Sequence, residues 1–492
     1  MGSSIGSSIG IMINLTLADT HKGLKEKKFS STELTQAYLD RIEKTDDKLN
    51  SYVTVTKEVA LETAKKADAE GKFKSPVAGI PMNLKDIICT AGIKTTACSK
   101  ILENYIPPYN ADVWARLKNA GAVLLGKANT DQFAMGSSSE TSYFGVTKNP
   151  WDPERVAGGS SGGPAASVAA DQCVFAIGTD TGGSIRQPAS LCSCVGLKVS
   201  YGRVPRYGVI SYASSFDTIG PVTKTVEDAA LVLNVIAGKS NNDSTTPDEP
   251  VPDYTSFLKT DLKGVKVGVP KEYFEGVEKE TAEAISKGIE TLKKLGAEVI
   301  EVSLPLTKYA IPTYYLLVKS EASTNMARYD GVKYGHTTDD AKELLEIYMK
   351  SRAEGFGDEV KRTIMIGTYA LSAGYYDAFY LKAAKVRALM KQEYEDMFKK
   401  VDVLATPTSP FTAFKIGEKM DDPLSMYAAD TLTVPAGICG LPGLSVPAGF
   451  DQNGLPIGLQ LLANQYKEGN LFHVGHAFEQ ATDWHKKKPV IN

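Results

Sequence analysis

The chain of 492 residues holds only six cysteines and five histidines. Cys89, Cys98, Cys173, Cys192, Cys194 and Cys439 are too sparse for a disulfide framework. They read as buried free thiols of a reducing cytosol. Cys192 and Cys194 form a C-x-C pair with no histidine nearby and no second pair, a poor match to metal-ligand spacing. No apolar run reaches the ~18 residues of a membrane span. The start, MGSSIGSSIGIMINLTL, lacks the basic n-region and long apolar h-region of a signal peptide. Its repeated GSSIG reads as a tag over residues 1–11, with Met12 as the native start. Net charge is −3, and lysine and arginine are spread along the chain, so the footprint of a dedicated nucleic-acid binder is missing. No G-x-x-x-x-G-K-[ST] occurs, which removes the phosphate loop. His21, His336, His473, His476 and His485 lie mostly on polar or helical stretches, which argues for solvated or incidental roles.

What is present is a globular balance, 42% hydrophobic and 23% charged, with helices alternating with buried strands. Ser30 to Glu33 forms a capping box ahead of Leu34, Tyr38 and Ile42, which share one helical face. A second helix follows around 59–69. Residues 79–87 read as a buried strand, 112–119 as a helix, 122–129 and 173–180 as strands. GVKVGVP, a helix over about 280–295, Gly296 at C′ and AEVIEVSLP make a β-α-β unit. A mainly helical block spans about 307–400. GLSVPAGF and GLPIGLQLLA flank Asp451-Gln452-Asn453-Gly454 as a hairpin, and a last helix covers about 468–482. The polar, Pro-rich stretch 239–253 reads as an exposed loop and the best candidate for a linker. The pattern predicts an α/β fold: one large mixed sheet covered by helices on both faces, with a helical insertion, in a single domain over 12–492.

Two Gly-Ser clusters stand out: GGSSGG at 158–163, and GTDTGGSIRQP at 178–188 just past a strand. The first looks like an engineered tether. Two core elements follow it too closely for that, so it reads as the loop leading into a closely packed helix, with Pro164 in the first turn. Glycines there allow unusual backbone angles and close approach of a ligand, but either cluster alone is also explained by two tight turns. GGSSGG matches G-x-S-x-G, yet Ser160 follows a loop rather than a strand, and a histidine triad is unforced. Lysine is the other base. Lys85 ends the apolar run Gly79-Ile80-Pro81-Met82-Asn83-Leu84, where burial would disfavour the ammonium and free the amine.

Lys85 in GIPMNLKD, Ser160 in GGSSGG and Ser184 in GTDTGGSIRQP together resemble the amidase signature family. The likeness runs on through KNPWDPERVAGGSSGG and VGLKVSYGRVPRYGVI to GLPGLSVPAG, nearly the whole chain. It implies one large α/β domain and a Ser–cis-Ser–Lys triad: Ser184 as nucleophile, Ser160 as relay on a cis peptide bond, Lys85 as ultimate base. The N–H groups of Thr181, Gly182, Gly183 and Ser184 would form the oxyanion hole, with glycines leaving room for the carbonyl oxygen. Ser161 would add a second hydroxyl to the network and stand among the substrate-binding residues. Asp180 and Arg186 would pair beneath the loop. No metal or other cofactor is implied.

Within the family, GYYDAFYLKAAKVRALM, DPLSMYAADTLTVPAG and EQATDWH are similar to the glutamine-hydrolysing components of tRNA-dependent amidotransferases. By that likeness Asp430 would meet a substrate α-amino group and Tyr314 would line the pocket. Three departures stand out. Pro164 and the cysteines of PASLCSCVG replace small residues, and Arg362-Thr363 stands where two arginines are usual. The second arginine would grip the α-carboxylate of glutamine, and threonine carries no charge for that grip. The expectation is a cytoplasmic serine hydrolase of small-molecule amides, with esters or carbamates in its range. The alternative is a glutamine-hydrolysing component that passes ammonia to partner proteins acting on tRNA. A catalytically silent scaffold is disfavoured by the intact triad.

Overall fold

The computed structural model describes residues 12–491; the tag reading of 1–11 lies outside them. Eleven strands form one mixed sheet in the order β1-β3-β2-β4-β6-β5-β10-β11-β9-β7-β8. They are β1 (Tyr52–Val55), β2 (Pro81–Lys85), β3 (Val123–Ala128), β4 (Phe175–Asp180), β5 (Val195–Lys198), β6 (Thr218–Thr223), β7 (Lys266–Pro270), β8 (Glu298–Val302), β9 (Val403–Pro407), β10 (Gly443–Phe450) and β11 (Pro456–Ala463). β2 runs parallel to both β3 and β4, and β7 parallel to β8 and β9; the other pairs are antiparallel. Every residue of β2, β3, β4, β6, β9 and β11 is buried. Successive side chains point to opposite faces, so both faces of the central sheet are covered.

Local chemistry explains the elements. Ser30 and Glu33 close the expected capping box, and the helix Ser31–Leu49 buries Leu34, Tyr38 and Ile42. Gly296, at φ +102°, follows the helix Lys279–Lys294 and turns the chain into β8. Residues 239–253 form a mostly exposed loop, but they lead from the helix Val226–Ile236 back to β7 of the same sheet. They therefore do not join two sheets.

The helical block departs from expectation at 327–343, which is not helical. The Asp330 carboxylate accepts the N–H groups of Val332 and Lys333, and Gly331 and Gly335 take φ of +78° and +91°. This local bonding holds the stretch in turns in place of helix. All six cysteines are free and buried. Among the described residues no cluster of His, Cys, Asp and Glu is arranged to hold a metal, and no helix is long and apolar enough to cross a membrane.

Candidate active site

Lys85 is the last residue of β2 and Asp180 the last of the neighbouring parallel strand β4. The turn after β4, carrying Thr181 to Ser184, therefore opens beside Lys85. This is the strand-end position where parallel sheets place ligands. The GGSSGG loop reaches the same place from the other side, because it opens the helix Gly162–Ala169 that precedes β4.

That loop is locked. Residues 158–163 are all buried. The Gly159–Ser160 bond is cis, as the resemblance implies. Gly159 N–H donates to Gln187 Oε1 (3.0 Å), and Thr130 Oγ1 donates to the Ser160 carbonyl (2.5 Å). A Cβ on Gly159 would lie 2.3 Å from Asp131 Oδ2. The glycines serve close packing, and the stretch has no tether character.

Lys85 is fully buried among three hydroxyls: Ser160 Oγ at 2.7 Å, Ser161 Oγ at 3.0 Å and Thr179 Oγ1 at 3.0 Å. Burial lowers its pKa from 10.5 to about 7, against the pull of Asp131, Asp180 and Asp217. None of these carboxylates bonds to it. Asp180 pairs with Arg186 (3.0 Å), as expected, while Asp217 accepts Thr181 Oγ1 (2.7 Å) and Asp131 accepts Thr141 Oγ1 (2.8 Å). Hydroxyls suit a switching amine: they accept from the ammonium and donate to the free base.

Lys127, Lys198 and Lys319 are buried too. Lys127 lies 3.8 Å from Asp86, and Lys198, also brought to about 7 by burial, donates to the carbonyls of Val199 and Leu441. Lys85 differs in making all its hydrogen bonds to side-chain hydroxyls.

The cavity holds about 430 Å³. Ser184, Tyr314 and Asp430 line it; Lys85, Ser160 and Ser161 lie behind its wall. Ser161 thus belongs to the surroundings of Lys85 and not to the substrate wall expected for it. It also ties the two loops together, its N–H donating to the Ser184 carbonyl (3.0 Å) and its hydroxyl to the Thr179 carbonyl (3.1 Å). The Ser184 side chain makes no hydrogen bond to a described residue, and the N–H groups of Thr181, Gly182, Gly183 and Ser184 have none either. Four N–H groups without a partner, in the turn that carries a half-buried, cavity-lining hydroxyl, can stabilise an oxyanion.

The glycines have a packing reason besides the one expected. A Cβ on Gly182 would meet the Tyr314 ring at 2.5 Å, and one on Gly183 would meet Thr433 Oγ1 at 2.1 Å. They make room for the pocket wall, and Thr433 in turn donates to the Gly182 carbonyl (2.6 Å).

Asp430 accepts from Ser137 Oγ (2.7 Å) and Tyr315 OH (2.9 Å), and burial pushes its pKa up to about 7. Thr363 does not line the cavity: it is fully buried one helical turn beyond Glu359, 3.5 Å from Glu359 Oε1. Arg362 lines the cavity instead and pairs with Glu359. Sequence reasoning missed Ser137, Glu359 and Lys319. Ser137 sits in a GSSSE cluster that was open to inspection; Lys319, in YYLLVKSEAS, interrupts an apolar helical run as Lys85 interrupts a strand.

A model of the Amidase family matches residues 33–472, and the chain belongs to that family of enzymes acting on carbon–nitrogen bonds. Among its relatives, the A subunit of the glutamyl-tRNA(Gln) amidotransferase of Thermosynechococcus vestitus is 55% identical over 479 residues, 96% of this chain and 99% of that one. The crystal structure of the protein of the same name from Thermotoga maritima is 40% identical, with a TM-score of 0.83 over 98% of both chains. The native peptide amidase of Stenotrophomonas maltophilia is 30% identical, with a TM-score of 0.83 over 97% of this chain and 98% of that one.

Proposed function

We propose that the chain is a glutamine-hydrolysing amidase that works as the amidase component of a tRNA-dependent amidotransferase in the cytoplasm. The full-length relationship at 55% identity carries this reading ahead of a stand-alone hydrolase. The Lys85–Ser160 contact of 2.7 Å supports the chemistry. Neutral Lys85 takes the proton of Ser160, which takes that of Ser184, and Ser184 Oγ attacks the side-chain carbonyl of glutamine. The oxyanion forms against the N–H groups of Thr181 to Ser184. The proton held by Lys85 returns through Ser160 to the leaving nitrogen. Ammonia departs to the partner protein, and water cleaves the glutamyl ester on Ser184 by the same steps. Asp430, as carboxylate, meets the substrate ammonium.

A second reading, hydrolysis of neutral amides, esters or carbamates, remains the alternative, although Thr363, buried away from the cavity, no longer argues for it. One parallel assay on purified protein separates them: L-glutamine deamidation beside an aryl amide and an aryl carbamate, with Ser184→Ala as control. Ser184-dependent ammonia release from glutamine is expected. Fast cleavage of the neutral substrates with glutamine untouched overturns the reading, and turnover retained by Ser184→Ala overturns the triad.

A further inference from the structure

Residues 433–437 back the turn after β4 from behind the cavity wall, and Asp430 stands at the head of the same segment. The Asp430 carbonyl accepts the N–H groups of Thr433 and Val434 (3.0 Å each), which closes the segment into a tight turn ahead of the short helix Val434–Cys439. Thr433 is fully buried and does not line the cavity. Its hydroxyl crosses to the turn after β4 and donates to the Gly182 carbonyl at 2.6 Å, while lying 3.2 Å from the Asp430 carbonyl. Gly437 packs against the same turn, where a Cβ would run into the Thr181 carbonyl oxygen.

A trans peptide group is planar, so its C=O and N–H point in opposite directions, and holding one aims the other. The planes behind the four unpartnered N–H groups are held in different ways. The Asp180 carbonyl accepts from Thr218 Oγ1 of the neighbouring strand β6 (2.7 Å), which aims the Thr181 N–H. The Gly183 carbonyl accepts the N–H of Gln187 (2.8 Å), in the helix Arg186–Cys192, which aims the Ser184 N–H. The Gly182–Gly183 plane lies between these two and is reached by neither. Among the described residues only Thr433 donates to the Gly182 carbonyl.

We propose that Thr433 is a positioning residue of the reaction: its hydroxyl aims the Gly183 N–H at the oxyanion and holds it in register with Asp430. This rests on the glutamine reading above, with Ser184 as nucleophile. One short segment then sets the spacing between the carboxylate that meets the substrate ammonium and a donor that meets the developing charge. Because Thr433 stands behind the wall, its hydroxyl acts on the transition state and not on binding.

The test is steady-state turnover of L-glutamine and of glutaramate, which lacks the amino group, by the parent, Thr433→Ala and Thr433→Ser. Losing an oxyanion donor outright costs about 10²–10³ in kcat, so mis-aiming one in Thr433→Ala should lower kcat about tenfold or more. KM should move by less than about threefold, because Ser137 and Tyr315 hold the Asp430 carboxylate. The loss should be the same on both compounds, and the acid side of the pH–activity profile, which reports Lys85, should stay in place. Thr433→Ser lacks the same methyl but keeps the hydroxyl, and should recover most of the kcat. Thr433→Val keeps the branched shape and covers the case in which Thr433→Ala fails to fold. A kcat within about twofold of the parent in the folded variants without the hydroxyl, a loss confined to KM or to glutamine, a shifted acid side, or a serine variant no better than alanine overturns the inference and leaves the glutamine reading standing. A parent protein that releases no ammonia from glutamine overturns both.

Discussion

Lowering the pH from 8 to 6 should switch the enzyme off through Lys85. Burial is the chief reason its pKa is about 7 instead of 10.5. With the neutral amine as the proposed base, activity is expected above that value and is lost as pH falls through it. About 91% of Lys85 is neutral at pH 8 and about 9% at pH 6, roughly a tenfold loss. A lysine left at 10.5 would be neutral in only about 0.3% of molecules at pH 8, so burial raises the competent fraction on the order of 300-fold. Asp430 also titrates at about 7 and becomes a carboxylate in the same direction. Glutamine, whose ammonium needs that carboxylate, should therefore show a steeper acid limb than glutaramate, which needs Lys85 alone. The assay is kcat/KM for both compounds over roughly pH 5.5 to 9.5. A glutaramate profile with unit slope below about 7 and a plateau above is expected. A rise that continues past about pH 9 would put the base at an ordinary lysine value and refute the neutral-amine mechanism.

Two further predictions concern stability. Arg186→Met strips the fully buried Asp180 of its bidentate partner and Gln460 of a 2.7 Å bond; a loss of about 3–5 kcal/mol in denaturant titration is expected, and less than about 1 kcal/mol would show the pair to be dispensable. Burial raises Glu479 to about 8 and Asp228 beside it to about 6, so the protonated forms favour the fold and their contribution is lost as pH rises through those values. Glu479→Gln keeps an acceptor for the Val226 N–H and should raise Tm more at pH 8.5 than at pH 5; an equal gain at both would exclude titration as the cause.

The parts of the fold with local signals were legible. The capping box at Ser30, the β-α-β unit around Gly296 and the hairpin at 451–454 all depend on residues close in sequence. β6 was not, because Pro221 stands inside a strand that pairs on both sides, where composition argues against a strand. The strand order was not legible either, since β4 pairs with β6 and β5 with β10 through contacts that no periodicity encodes. At the candidate site, Lys85, Ser160 and Ser184 were picked out by motif. Burial alone would not have singled out Lys85, because Lys127 and Lys198 sit in equally apolar strands. What sets it apart, three hydroxyl neighbours and no carboxylate, is assembled from β2, β4 and the GGSSGG loop and exists only in three dimensions. The surroundings of Thr363 were hidden for the same reason: a substitution read along one helix did not reveal Lys319, which reaches Glu359 of that helix from another.

The contact between Gly182 and Tyr314 limits how this scaffold can be redesigned. The Tyr314 ring that lines the cavity also rests against the backbone that would receive the oxyanion. Trimming Tyr314 to admit bulkier acyl groups unpacks the turn whose N–H groups must stay aimed, so breadth of substrate and speed of turnover are exchanged at one position. Variants that widen scope while keeping rate should arise at walls not in register with that turn, such as Met135 or Met426, which also line the cavity.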